Sequence, residues 1–198
     1  LNHSGLSLGK SGNISVRCDQ GLLITPTGMD YSDLSTDDIV LLHNDGSVDP
    51  GQQRLPSSEW HFHCGIYQAR PDINAVVHAH PNHCTALACT GRDIPAFHYM
   101  VAVAGGDNIP IAPYALFGTE QLSDYVATAL QQRQACLLAN HGMIAIGPDL
   151  HSSFNLATEV EGLAQQYCQA LALGDVNTLS DQQMNEVIVK FKDYGQRL

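Results

Sequence analysis

Ala75-Val76-Val77-His78-Ala79-His80-Pro81 is the stretch on which the reading of this chain turns. An apolar run with two β-branched residues passes into a His-X-His pair and stops at a proline, the pattern of a buried strand. On a strand, residues i and i+2 project from the same face. His78 and His80 can therefore both approach one ion at about 2.0–2.1 Å from each nitrogen. Further on, Cys136-Leu137-Leu138-Ala139 reads as a second strand, Asn140-His141-Gly142 as a tight turn, and residues 143–146 as a returning strand. His141 sits in that turn, where Gly142 relieves crowding. Three imidazoles from two neighbouring strand ends, with coordination positions left open, form the catalytic kind of zinc site. His3, His43, His61, His63, His83, His98 and His151 lack such a placement and read as surface or supporting residues.

Upstream, residues 59–69 have helical character, with Ser57 as the expected N-cap and Pro71 as the stop. Glu59 falls in the first turn. A carboxylate beside a catalytic zinc serves as a ligand or as a general base; the alternative is a capping acid favoured by the helix dipole. Three short segments, Gly12-Asn13, Thr27-Gly28 and Ser57-Ser58, combine small residues with free N–H groups and hydroxyls. Backbone of that kind curves round an anion such as a phosphate, though each segment alone also reads as an ordinary turn or cap.

The rest of the chain reads as strands at 13–17 and 22–25 joined through Asp19-Gln20-Gly21, a strand at 39–43, and a short helix at 82–90. Helices follow at 119–133 (capped by Thr119), at 150–173 (with Gly174 past its end) and from Ser180 to about residue 193. Antiparallel strand pairs among helices predict an α/β fold, one domain over residues 1–198, with a mixed, mostly antiparallel central sheet flanked by helices. The first residue is Leu1 rather than methionine, so the natural N-terminus is expected to extend further.

With 198 residues, 44% hydrophobic and 15% charged, the composition is that of a globular domain. A net charge of −11 argues against nucleic-acid and anionic-membrane partners, while leaving backbone N–H groups free to hold a phosphate. No apolar run is long enough to span a bilayer. Six scattered cysteines with no CxxC pair read as reduced thiols in a cytoplasmic protein.

Taken together, GNISVR (12–17), LLITPTGM (22–29), LPSSEWHFH (55–63), AVVHAHPNHCTAL (75–87), HYM (98–100), AGGDNIPIAPYALFGT (104–119), LLANHGMIA (137–145) and KFKDYG (190–195) resemble the class II aldolase/adducin family in order and spacing. The resemblance covers nearly the whole chain. It implies Zn2+ held by His78, His80 and His141, and Glu59 as an additional metal-site carboxylate that moves a proton beside the substrate ketone. Gly12, Asn13, Thr27, Gly28, Ser57 and Ser58 become the phosphate cradle. Tyr99 matches a tyrosine acting on the aldehyde oxygen, Tyr194 one contributed across a subunit boundary, and Phe117 a site-wall aromatic. The implied activity is reversible cleavage of a small phosphorylated sugar, a ketose 1-phosphate, into dihydroxyacetone phosphate and an aldehyde. The implied assembly is a fourfold-symmetric homotetramer with active sites at subunit interfaces. Glu59 (rather than an aspartate), Tyr99 and Tyr194 favour the aldolase branch over sibling zinc enzymes: a pentulose-phosphate 4-epimerase, a methylthioribulose-phosphate dehydratase or a sugar-acid phosphate decarboxylase. A non-enzymatic adducin-like scaffold would lack the histidines. No Schiff-base lysine is needed, which suits a chain whose only lysines are Lys10, Lys190 and Lys192.

Overall fold

The first two apolar runs pair as an antiparallel hairpin, β1 (Asn13–Cys18) with β2 (Gly21–Ile24), and β3 (Val40–His43) adds to the outer edge of β2. In this computed structural model, which describes residues 1–191, seven strands form one sheet in the order β3-β2-β1-β4-β7-β6-β5. The central strands are β4 (Ala75–Ala79), β6 (Ala135–Leu138) and β7 (Gly142–Gly147). Every pairing is antiparallel except that of β6 with β5 (Ile111–Ala112). The sheet is thus mixed and mostly antiparallel, as the pattern predicts. The two-residue β5 has no sequence signature.

Alternation along the strands sorts the core into two layers. Val77, Ala79, Leu137, Met143 and Ala145 face one side, against α2 (Asn82–Cys89), α4 (Leu150–Leu173) and α5 (Asp181–Phe191). Val76, Cys136, Leu138, Ile144 and Ile146 face the other, against α1 (Trp60–Ala69) and α3 (Glu120–Ala129). His78 lies two residues beyond Val76, so its ring projects to the α1 side. There it meets Phe62 edge-on at 5.3 Å between centroids.

Local signals set most boundaries. Thr119 accepts from the Leu122 N–H as the N-cap of α3, and Asp149 accepts from the Ser152 N–H to start α4. Two expectations need correction. Ser57 does not cap α1: Ser57 N donates to Thr25 O, which ties it to the end of the β1–β2 hairpin, and Glu59 takes the N-cap position without a side-chain capping bond. The helix predicted over 119–133 ends at Ala129, because the Arg70 guanidinium takes up the carbonyls of Leu130 at 2.7 Å and Arg133 at 3.1 Å. No described helix is long and apolar enough to cross a membrane.

Candidate active site

The pairing of β4 with β1 and β7 builds the site's floor. His78 sits opposite Asn13 on one side and Ile144 on the other. His80 stands one residue past the end of β4, and His141 occupies the turn from β6 to β7. Gly142 is required at that turn: a Cβ there would lie 2.7 Å from His80 Cδ2 and 2.5 Å from the Ala79 carbonyl oxygen. Asn140 takes the left-handed conformation, φ 56°, that lets the chain reverse so tightly.

One ligand atom from each of Glu59, His78, His80 and His141 lies within 4.8 Å of the others. The three rings meet edge to edge like blades, with centroids 4.7 to 4.8 Å apart and planes 71° to 73° apart. His78 Nδ1 is 2.9 Å from the Met143 carbonyl oxygen, to which it can only donate. In the neutral ring this leaves Nε2 bare, with its lone pair facing inward. That nitrogen lies 2.8 Å from His80 Nε2 and 3.2 Å from Glu59 Oε2. Glu59 Oε1 is buried, accepts no hydrogen bond, and lies 3.2 Å from His141 Nε2. Converging lone pairs and an orphaned buried carboxylate oxygen repel one another unless a cation sits among them. The donor set therefore fits a divalent metal.

Burial opposes ionisation of Glu59, but the neighbouring His78 and His141 rings outweigh it and hold the carboxyl well below the usual carboxylate range. Burial, reinforced by His78 and His141, brings His80 down to about 3, so it stays neutral and ligand-competent at ordinary pH. Asn13 Nδ2 donates to Glu59 Oε2 at 2.9 Å.

Beside this cluster opens a cavity of about 390 Å³, within the size range of small-molecule sites. Gly12, Asn13, Thr27, Gly28, Ser57 and Ser58 all line it, together with Glu59, His80, His141 and Phe117. Tyr31 Oη donates to the Gly12 carbonyl at 2.7 Å and braces that loop; burial raises its phenol to about 12. Gly12 is itself constrained, with φ 81° and a Cβ position 2.7 Å from the His78 carbonyl oxygen. Lys10, Ser11, Tyr114 and Asn140 also line the cavity, although the sequence pattern assigns none of them a site role. Lys10 is the only lysine or arginine among the described lining residues. Its ion pair with Asp30, 3.4 Å long, is exposed on both sides. Tyr99 is not brought in. It lies on a six-residue 3-10 segment, Tyr99–Ala104, is half exposed, and stacks over Phe191 at 6.4 Å. Tyr194 lies outside the described residues.

Residues 1–168 match the model of the Class II Aldolase and Adducin N-terminal domain. The chain belongs to the class II aldolase/adducin family. Within that family, it is 52% identical over 199 residues to the L-fuculose phosphate aldolase of Escherichia coli (strain K12), an alignment spanning 100% of this chain and 92% of that protein. It is 51% identical over 191 residues to the 5-methylthioribulose-1-phosphate/5-deoxyribulose-1-phosphate aldolase of Rhodospirillum rubrum, covering 96% of this chain and 86% of that one. Among solved structures, an L-fuculose 1-phosphate aldolase superposes with a TM-score of 0.92 at 43% identity, covering 97% of this chain and 91% of its own. This class II aldolase thus carries the family's fold together with a Glu-His3 cluster suited to a divalent ion.

Proposed function

We propose that this chain is a zinc-dependent aldolase that reversibly cleaves a ketose 1-phosphate, L-fuculose 1-phosphate first, into dihydroxyacetone phosphate and L-lactaldehyde. The observation that carries the reading is the Glu59-His78-His80-His141 cluster beside a cavity whose lining also brings together the Gly, Ser and Thr residues of three short segments and one lysine. Three imidazoles and a carboxylate are a donor set suited to zinc. When bound, the metal polarises the substrate ketone and offsets the charge that develops there.

The remaining work belongs to side chains. Thr27, Gly28, Ser57 and Ser58 offer N–H and hydroxyl donors to the phosphate, with Gly12 and Asn13 behind them, and Lys10 adds a positive charge at that end. In the cleavage direction the hydroxyl proton of the aldehyde-to-be passes to Tyr99. The carbon–carbon bond breaks, its electron pair stays on the ketone-side carbon, and Glu59 delivers a proton there. Synthesis is the reverse. Tyr99 does not line the cavity of its own chain, so it serves this role from a neighbouring copy. The protein then acts as a homotetramer with Tyr99 and Tyr194 reaching across subunit boundaries, and Phe117 forms part of the wall. Free thiols at Cys18, Cys64, Cys84, Cys89, Cys136 and Cys168 suit a cytoplasmic setting.

A second reading is supported by the near-equal identity to the methylthioribulose/deoxyribulose phosphate aldolase: the same cleavage with a different aldehyde. The test is release of dihydroxyacetone phosphate from L-fuculose 1-phosphate, 5-deoxyribulose 1-phosphate and 5-methylthioribulose 1-phosphate, with a chelator control. Chelator-sensitive release ranked by kcat/KM identifies the aldehyde half. No release from any of the three would overturn the aldolase reading.

A further inference from the structure

Behind Glu59 runs a buried chain of side chains of which the reaction as written uses only Asn13. Asn13, Ser15 and His63 are buried, with His63 at 0% exposure, and Tyr67 is 6% exposed. Asn13 Oδ1 is 2.6 Å from His63 Nε2, and His63 Nδ1 is 2.7 Å from Ser15 Oγ. Ser15 Oγ is in turn 2.8 Å from Tyr67 Oη.

Only one assignment of protons satisfies every link. Glu59 can only accept, so the amide must present its NH2 to it and its Oδ1 to His63. His63 must then donate from Nε2, which leaves Nδ1 to accept from the Ser15 hydroxyl. Ser15 Oγ must finally accept from Tyr67. Burial lowers the His63 imidazole to about 3, which keeps it in the neutral form this chain requires. α1 and β1 supply the parts at fixed spacings: Glu59, His63 and Tyr67 recur every four residues along α1 and its cap, so they share a face, while Asn13 and Ser15 are two apart on β1 and share a face as well.

We propose that His63 is a positioning residue: it fixes which end of the Asn13 amide meets Glu59, with Ser15 and Tyr67 fixing His63. Without the Nε2–H donor the Asn13 side chain is free to rotate by half a turn about its last bond and set Oδ1 against the carboxylate, lone pair against lone pair. The carboxylate then loses its aim at the carbon from which it takes the proton. This rests on Glu59 being the proton carrier of the proposed reaction.

The test has two arms. In the metal-loaded wild-type protein, long-range ¹H–¹⁵N spectra assign the tautomer of His63 whether or not the protein turns anything over. Nε2–H is expected, and Nδ1–H would overturn the proposal. In the kinetic arm, His63→Leu is expected to lower kcat by about 10- to 100-fold at unchanged KM and unchanged bound metal. His63→Gln, whose amide can donate to Asn13 and accept from Ser15, is expected to recover most of that loss. Ser15→Ala should cost more than Tyr67→Phe, since it is one link nearer, and it decides the matter if His63→Leu does not fold. Equal kcat in the metal-loaded Leu, Gln and wild-type proteins would reduce His63 to a packing residue. A wild type without cleavage would remove the proposed reaction while the tautomer still decides the hydrogen-bond chain.

Discussion

Asn13 and His78 face each other across the β1–β4 pair, and both side chains converge on the same atom, Glu59 Oε2, at 2.9 and 3.2 Å. A single register therefore sets the relation between a hydrogen-bond donor and an imidazole on one carboxylate. A slip of one residue would turn His78 to the opposite face of the sheet and take the site apart. The functional geometry thus depends on the alternation that buries Val76 and Val77 on opposite sides.

His80 stands at the end of β4 with its Nε2 2.8 Å from that of His78. His80→Ala leaves the sheet pairing intact, because residue 80 is outside the ladder, and removes one of three imidazoles. We expect the purified variant to fold but to lose stoichiometric zinc and turnover together, measured by elemental analysis alongside the cleavage rate. A variant that kept its zinc and its rate would remove His80 from the ligand set.

Lys10 is expected to act on binding rather than on chemistry. Lys10→Gln should raise KM for the phosphorylated ketose, and the inhibition constant of inorganic phosphate, several-fold, in line with about 1 kcal/mol for a solvent-exposed charge. kcat should stay near wild type. An unchanged phosphate inhibition constant would place the lysine outside the anion site.

Acid should weaken the metal-free fold over a defined window. Burial holds His63 and His80 at about 3 when folded, against about 6.5 when unfolded. Below 6.5 the unfolded chain binds protons that the folded one refuses, so stability is complete above that pH and falls as pH drops toward 3. Each imidazole contributes a slope of at most about 1.4 kcal/mol per pH unit. Urea melts of the chelated protein at pH 7.5, 6 and 5 should show this fall, and His63→Gln should flatten it by one proton. Parallel curves for the two proteins would contradict the assignment.

A site shared between copies has a distinctive signature. Tyr99→Phe and His80→Ala are each expected to be nearly inactive alone. Co-expressed as mixed oligomers, they should regain part of the activity, because some interfaces then combine an intact metal site with an intact Tyr99. No recovery in verified mixed oligomers would confine the site to one chain.

Much of this was legible from residue pattern. The β-branched run at 75–79 with His at i and i+2, and the 24-residue helical period bounded by Asp149 and Gly174, specify β4 and α4 because local period and burial agree. The same pattern points to His78, His80, His141 and Glu59, which the fold draws together. What escaped depends on contacts made far along the chain. β5 is two residues between Pro110 and Pro113, too short for any period. The end of α3 is set by Arg70, sixty residues upstream of the carbonyl it meets. His63 looks no different from His61 or His83 in sequence; its burial against Asn13 and Ser15 appears only when α1 docks on β1. Lys10 lies in no motif and reaches the cavity only through the folded loop.

The central claim is that Glu59 moves a proton at the carbon beside the ketone with a metal in place, and exchange of that proton tests it without reference to the aldehyde. Dihydroxyacetone phosphate in D2O is followed by NMR with the zinc-loaded wild type, the chelated wild type and zinc-loaded Glu59→Gln. The account predicts stereospecific exchange of one C–H proton in the first and none in the second. Glu59→Gln should retain zinc and slow exchange by about 10²- to 10⁴-fold. Exchange that survives chelation, or that proceeds at the wild-type rate in zinc-loaded Glu59→Gln, would contradict it.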